Sequence, residues 1–247
     1  MEYTSLQDFR ERAGYEIDGI WYPRVTAIVS IKAKPALYRY YAGMPSWRAA
    51  DEAKERSAEE GSRVHAAVEA ILKGDHPVID AVTAPAVDAF MAFSASVHIK
   101  PLLIEERLVS RQHRYAGTVD VVADIDGTVG VLDIKTGKAI YRDYGMQTAA
   151  YAAALREDPS LPHPTASWVL RLDQFRTCGR CNATMRAKGG TVRINGRGSR
   201  TCAHAWGPQT GQFEFRAVGD DHDFSAFLAA KALWQWEYRE FIERLTG

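Results

Sequence analysis

Two apolar runs, Ala116 to Ala123 and Thr128 to Ile134, are joined by Asp126-Gly127, and an aspartate sits within each run. Asp-Gly tolerates the positive φ angles of a tight turn, so the segment is read as a β-hairpin. A carboxylate among valines, leucines and isoleucines has to be paired or to face solvent, because burying a bare charge is costly. Asp120 and Asp133, on neighbouring strands, can point to one face, where they repel unless a cation lies between them. Hard oxygen donors in that arrangement suit Mg²⁺ or Mn²⁺. Lys135 stands two residues after Asp133, so on a strand the two side chains share a face. An ammonium beside a carboxylate-held metal can orient a water and offset charge on a pentacovalent phosphate. The alternative is a surface hairpin with a plain Asp-Lys ion pair, since D-x-K triplets arise often by chance.

Around this hairpin the hydrophobic period changes. Val64, Ala67, Val68, Ile71 and Leu72 recur at helical spacing within Trp47 to Lys73, and Gly74 marks a stop. A second helix is expected over Pro85 to Val97, strands at Leu103 to Val109, Ala166 to Leu172 and Gln212 to Val218, and an Ala-rich helix from Tyr144 to Arg156. Trp21 to Ile31 reads as extended, and one closing helix is expected from Asp223 to Leu245. The order of elements predicts an α/β domain with a mixed central sheet flanked by helices. With 247 residues, 46% of them hydrophobic, one core can span residues 1–247, leaving 173–211 as an insert within a hairpin. No run of 18 apolar residues occurs, and Met1 to Asp18 lacks the apolar centre of a signal peptide. The expectation is an intracellular, cytoplasmic protein with no membrane partner.

His65 and Glu69 share a face of the first long helix at i, i+4, and Gln147 and Tyr151 do the same on the helix after Asp133-x-Lys135. Alone, each pair reads equally well as a solvated helix face. In order, His65, Gly117-x-x-Asp120, Asp133-x-Lys135 and Gln147-x3-Tyr151 resemble the RecB-like branch of the PD-(D/E)XK nuclease superfamily. Val25-Thr-Ala-Ile, Gly61-Ser-Arg-Val-His65 and Arg114-Tyr-Ala-Gly-Thr-Val-Asp120 are similar to stretches of phage-encoded exonucleases and of mitochondrial genome maintenance exonucleases. That resemblance implies a restriction-endonuclease-like core, with metal held by His65, Asp120, Asp133 and the Ile134 carbonyl. It also implies a catalytic Lys135, and DNA positioning by Gln147 and Tyr151. Val119 stands where the superfamily name has proline. Glu69 and Glu105 are read as supporting groups, although for Glu105 a solvent-exposed strand position is the favoured alternative.

All three cysteines lie in a basic stretch. From Arg171 to His204 there are seven Arg and Lys188 against Asp173, or 8 − 1 = +7, in a chain of zero net charge. Cys178-Gly-Arg-Cys181 and Cys202-Ala-His204 offer four ligands of the kind that hold tetrahedral Zn²⁺, and the glycine-rich segment between them has little to bury. Free thiols on a loose loop are the alternative. Three cysteines, all on one side of the nuclease core, do not match the four-cysteine iron-sulfur clusters of some relatives. A metal-fixed basic finger is expected to project away from the sheet carrying Asp133 and to contact phosphates, or else a protein partner. Tyr38, Tyr40, Tyr41 and Trp47 can stack unpaired bases or pack internally.

The chain is thus expected to be a metal-dependent deoxyribonuclease. An exonuclease acting on DNA ends, with a preference for single strands, is favoured, in recombination, repair or phage DNA metabolism. A flap or structure-specific endonuclease, and a noncatalytic DNA-binding subunit with the same fold, are the rivals. The intact Asp, Asp and Lys set speaks against the last of these.

Overall fold

The computed structural model describes residues 3–196 and 200–246, with only the backbone of Ala36, Arg39, Tyr40 and Thr246. Ser5 caps helix α1 (Leu6–Ala13) through its oxygen on the Asp8 amide. A small hairpin follows, β1 (Gly14–Ile17) with β2 (Ile20–Pro23). Val25 to Val29, expected to be extended, forms helix α2 (Val25–Val29) instead. Four of its five residues are buried, and burial on all sides overrides the β preference of its branched side chains. Next come α3 (Pro35–Ala42), α4 (Trp47–Leu72), capped by Ser46, and α5 (Ala84–Ser96).

The main sheet begins with β3 (Ile99–Ser110), β4 (Tyr115–Ile125) and β5 (Thr128–Thr136), consecutive and antiparallel. Asp126 and Gly127 both take positive φ in the turn between β4 and β5. Helix α6 (Asp143–Arg156) crosses over to β6 (Ala166–Cys178), which lies parallel to β5. Strand β9 (Trp206–Ala217) flanks β6 on its other side. The architecture is α/β, with a mixed central sheet between helices. One apolar layer joins Phe9, Ile28, Tyr151, Leu155, Phe227 and Trp234. The other joins Val64, Val68, Phe90, Phe93, Leu132 and Leu170. The closing helix is broken at Tyr238 into α7 (Asp223–Glu237) and α8 (Arg239–Thr246). The break lets Tyr238 and Phe241 close around Tyr3 and Phe9, with Tyr3–Tyr238 ring centroids 5.1 Å apart and Phe9–Phe241 centroids 4.8 Å apart. Among the described residues no helix is long and apolar enough to cross a membrane.

Strands β6 and β9 run further than their sequence suggests. Their ladder extends from Trp168 opposite Ala217 to Cys178 opposite Trp206, so it enters the segment expected to be an insert. Beyond it lies a second hairpin, β7 (Thr184–Lys188) and β8 (Thr191–Asn195), turned by Gly189 and Gly190 at φ 59° and 74°. Strand β7 returns to pair with the end of β6, at Arg176 with Met185 and Thr177 with Thr184.

Candidate functional site

The sheet opens at one level, and the site lies there. Pairing between β4 and β5 stops at Val121–Leu132, one step short of Asp120 and Asp133. The Ile134 amide, no longer needed by the ladder, donates instead to Asp120 Oδ2 at 2.7 Å. On the other side of β4, Glu105 lies between the pairs Ile104–Val121 and Glu106–Val119 and has φ 50°. Left-handed backbone at a glutamate costs on the order of 1–3 kcal/mol and concentrates at functional sites. Helix α4 then brings His65 over the gap, its Nδ1 3.8 Å from Asp120 Oδ1. One ligand atom from each of His65, Glu105 and Asp120 lies within 4.8 Å of the other two.

Asp133 and Lys135 sit beside this cluster. Asp133 is 1% exposed, its Oδ1 accepts from Lys135 Nζ at 2.6 Å, and its buried Oδ2 meets no donor among the described residues. Burial pushes the Asp133 carboxyl above the ordinary range, with Lys135 working against the shift and Asp120 adding to it. For Lys135 burial opposes the charge, yet attraction to Asp133 and Asp120 prevails and holds the ammonium above its usual value. Burial lowers His65, against the pull of Asp120 and helped by Lys135, so the imidazole is neutral near pH 7 with a lone pair to offer. Glu105 is raised to about 7, first by desolvation and then by Asp120 and Glu69. The two raised carboxyls, Asp133 and Glu105, are therefore held in states that an added divalent cation would relieve, and the neutral His65 has a lone pair for it.

The sequence-derived residues converge unevenly on this point. His65, Glu69, Glu105, Asp120, Lys135, Gln147 and Tyr151 all line one cleft of about 660 Å³. Gln147 donates to the Tyr151 hydroxyl at 3.1 Å. Burial pushes the Tyr151 hydroxyl well above its usual value. Ile134 meets the site through its backbone, which also hydrogen-bonds His65. Glu105 is closer to the cluster than its exposed strand position suggested, whereas Asp133 lies with Lys135 outside the three-atom group. Glu69 bonds Lys73 at 2.6 Å. Gly117 permits the arrangement: a Cβ there would lie 2.6 Å from Tyr151 Cε1 and 3.0 Å from Val25 Cγ2. Sequence reasoning missed the wall residues Tyr15, Arg24 and Lys188. Arg24 lies over the Tyr15 ring at 4.1 Å, a contact without local sequence spacing.

A second cluster, Cys178, Cys181, Cys202 and His204, has one ligand atom from each residue within 4.8 Å of the others and can hold a metal ion. The Arg180 amide points at Cys178 Sγ at 3.4 Å, and Cys181 Sγ lies 3.5 Å from His204 Nδ1. Burial opposes ionisation of Cys178, but hydrogen bonds from His204 and backbone amides bring its thiol down to about 5. Cys202 is pushed up to about 11 by burial and by the neighbouring sulfurs. The finger does not project away from the Asp133 sheet as expected. Its hairpin folds back on α4: the Gly189 amide donates to Glu60 Oε1 at 3.0 Å, Arg56 Nε donates to the Gly189 carbonyl at 2.9 Å, and Lys188 reaches Thr136, next to Lys135.

Part of the basic charge is also committed within the fold. Arg171 is buried and bridges Asp173 and Glu214, both at 2.9 Å, and Arg186 binds Asp173 at 2.8 Å. Arg197 lies outside the described residues, as does the side chain of Tyr40. Tyr38 and Trp47 are exposed, and Trp47 packs its ring 5.4 Å from that of Tyr41. No family model matches the chain. Nor does any curated protein match it.

Proposed function

We propose that the protein is a divalent-cation-dependent nuclease of the PD-(D/E)XK kind that hydrolyses DNA phosphodiester bonds, working from ends and preferring single strands. The observation that carries this reading is the convergence of His65, Glu105 and Asp120 beside the Asp133–Lys135 pair in an open cleft. Two carboxylates and a neutral imidazole are the donors that Mg²⁺ or Mn²⁺ accepts, and the buried Asp133 beside them adds negative charge behind the site. A bound divalent ion would supply Lewis-acid stabilisation of the phosphate and acidify water.

The chain's own groups do the rest. Asp120 is held in place by the Ile134 amide and keeps its other oxygen toward His65. Lys135, anchored on Asp133, places a fixed positive charge at the cleft wall, where it can orient water and offset the charge that grows on the phosphate oxygens. Gln147 and Tyr151 bond each other and form the wall along which a strand would lie. Soft sulfur donors with one imidazole suit structural Zn²⁺ in the Cys178, Cys181, Cys202 and His204 cluster.

End-labelled linear, closed circular and flap DNAs, incubated with Mg²⁺ or Mn²⁺ and with EDTA, test the reading. Linear single strands should be degraded in metal and spared in EDTA, while circles persist. Equal loss of circles and linear molecules would convert the exonuclease into an endonuclease. Failure to cut any of them in either metal would leave the nuclease reading without support.

A further inference from the structure

A second cavity, of about 330 Å³, lies under the β7–β8 hairpin and shares Ser57, Gly61, Thr136 and Lys188 with the cleft. Its size falls in the range of small-ligand sites, roughly 300–1,000 Å³. The cross-strand pairs Arg186–Arg193 and Lys188–Thr191 turn toward it, while Val192 and Ile194 on the opposite face are 57% and 39% exposed. A hairpin ordinarily packs its apolar face inward. Here the charged face is inward and the apolar one is left to solvent; Asp173 compensates Arg186, yet the lining still holds Lys54, Lys138, Lys188 and Arg193 against Glu60, a balance that suits an anionic occupant.

The opposite wall has a different chemistry. Leu37, Tyr41, Val64 and Leu172 give it apolar and aromatic surface. Two lining residues carry buried acceptors that no group among the described residues satisfies, Glu60 Oε2 and Gln174 Oε1. Unmet buried acceptors favour a ligand with N–H donors. Lys188 Nζ, on the partition between cavity and cleft, bonds neutral oxygens, the Thr136 carbonyl and, at 3.0 Å, Thr136 Oγ1. A flat ring with an exocyclic amine, attached to a phosphate, meets all three demands.

We propose that this cavity is a nucleotide subsite of the cleft, which takes one unstacked base of a single strand while Lys188 contacts its phosphate. The subsite rests on the nuclease reading for its place beside the reacting phosphate. A base can enter only out of a duplex stack, so the subsite selects single strands. The hairpin is then a wall of the substrate site, and its glycine turn is fitted to α4: a Cβ on Gly189 would lie 2.2 Å from the Ala53 carbonyl oxygen.

The test is binding of a fluorescent oligodeoxycytidylate in EDTA, with a blunt duplex of equal length as control. Thr191→Trp fills the cavity from a half-buried strand position and should weaken single-strand binding about tenfold or more, in keeping with the worth of one stacked base. It should leave duplex binding within about twofold. One abasic position, moved along the strand, should reproduce that loss at a fixed distance from the end and add nothing to Thr191→Trp. Lys188→Met should lower the salt slope of single-strand binding by about one. Single-strand affinity unchanged in both variants, with unchanged melting temperatures, would overturn the subsite. Cleavage by the wild-type protein is scored separately with Mg²⁺. Loss of binding in Thr191→Trp without any wild-type cleavage would support the subsite and overturn the nuclease reading, whereas intact binding with intact cleavage would overturn the subsite alone.

Discussion

Lys135 and Asp133 face the same side of β5 with Nζ and Oδ1 2.6 Å apart, and the second carboxylate oxygen is left buried without a donor among the described residues. A pair built this way is unequal: the lysine reaches the cleft and the aspartate does not. Lys135→Ala should therefore have two separable effects. Turnover on saturating single-stranded DNA should fall by about 10²–10³ while binding persists, as for loss of a group acting in the transition state. The melting temperature should fall as well, because Asp133 loses its cation. Single-turnover cleavage alongside thermal melts checks both, and activity within a few-fold of wild type would remove Lys135 from the chemistry.

The raised carboxyl of Glu105 gives the metal-free protein a defined pH dependence. Its folded value of about 7 stands above the ordinary 4.5, so the folded state holds the proton more tightly than the unfolded chain. The stability this confers is complete below about 4.5 and is lost as pH rises toward and through 7. Asp133, shifted in the same direction, adds to the trend. Melting temperature without metal should thus decline between pH 5 and 8 through these groups, and Mn²⁺ should raise it more at pH 8 than at pH 5. Glu105→Gln should flatten the decline and weaken the Mn²⁺ effect. A Mn²⁺ shift independent of both pH and Glu105 would place the ion elsewhere.

Gly117→Ala tests why the strand carrying Asp120 has a glycine three residues before it. The new methyl would press on Tyr151 and Val25, both buried, so a loss of about 1–3 kcal/mol is expected from overpacking. Chemical denaturation measures it. Because Tyr151 is hydrogen-bonded to Gln147, activity should fall further than the loss of folded protein explains.

Elemental analysis of the purified protein should find about one zinc per chain, as four ligands per structural site require. Cys178→Ser should lower the metal content and loosen the base from which β7 and β8 return to α4, lowering both the strength and the salt sensitivity of single-strand binding. Protein from zinc-replete medium that contains no zinc would reduce the four side chains to a thiol cluster.

The sequence made the hairpin legible because its signals are local: an Asp-Gly turn, period-two burial, and a lysine two residues from an aspartate. Helix α4 was readable for the same reason, through its period and the stop after Leu72. Signals failed where the deciding contact was distant. Val25 to Val29 has the composition of a strand, but partners from α6 and α7 surround it and make a helix. Glu105 belongs to the site through a backbone conformation that no residue pattern announces. Cysteine spacing grouped the four zinc-type ligands, yet could not tell which way the hairpin beyond them would fold. That depends on Gly189 meeting Glu60, 129 positions earlier.

The same contact orders events in time. The bond from Arg56 to the Gly189 carbonyl spans 133 positions, so α4 leaves the ribosome long before the surface that covers it. Contacts of such separation are slow to form and follow local structure. A nascent chain halted at residue 140 would already contain His65, Glu105, Asp120 and Lys135, but would lack Gln147, Tyr151 and Lys188, which complete the wall. Completion of the cleft is thereby tied to near-completion of synthesis.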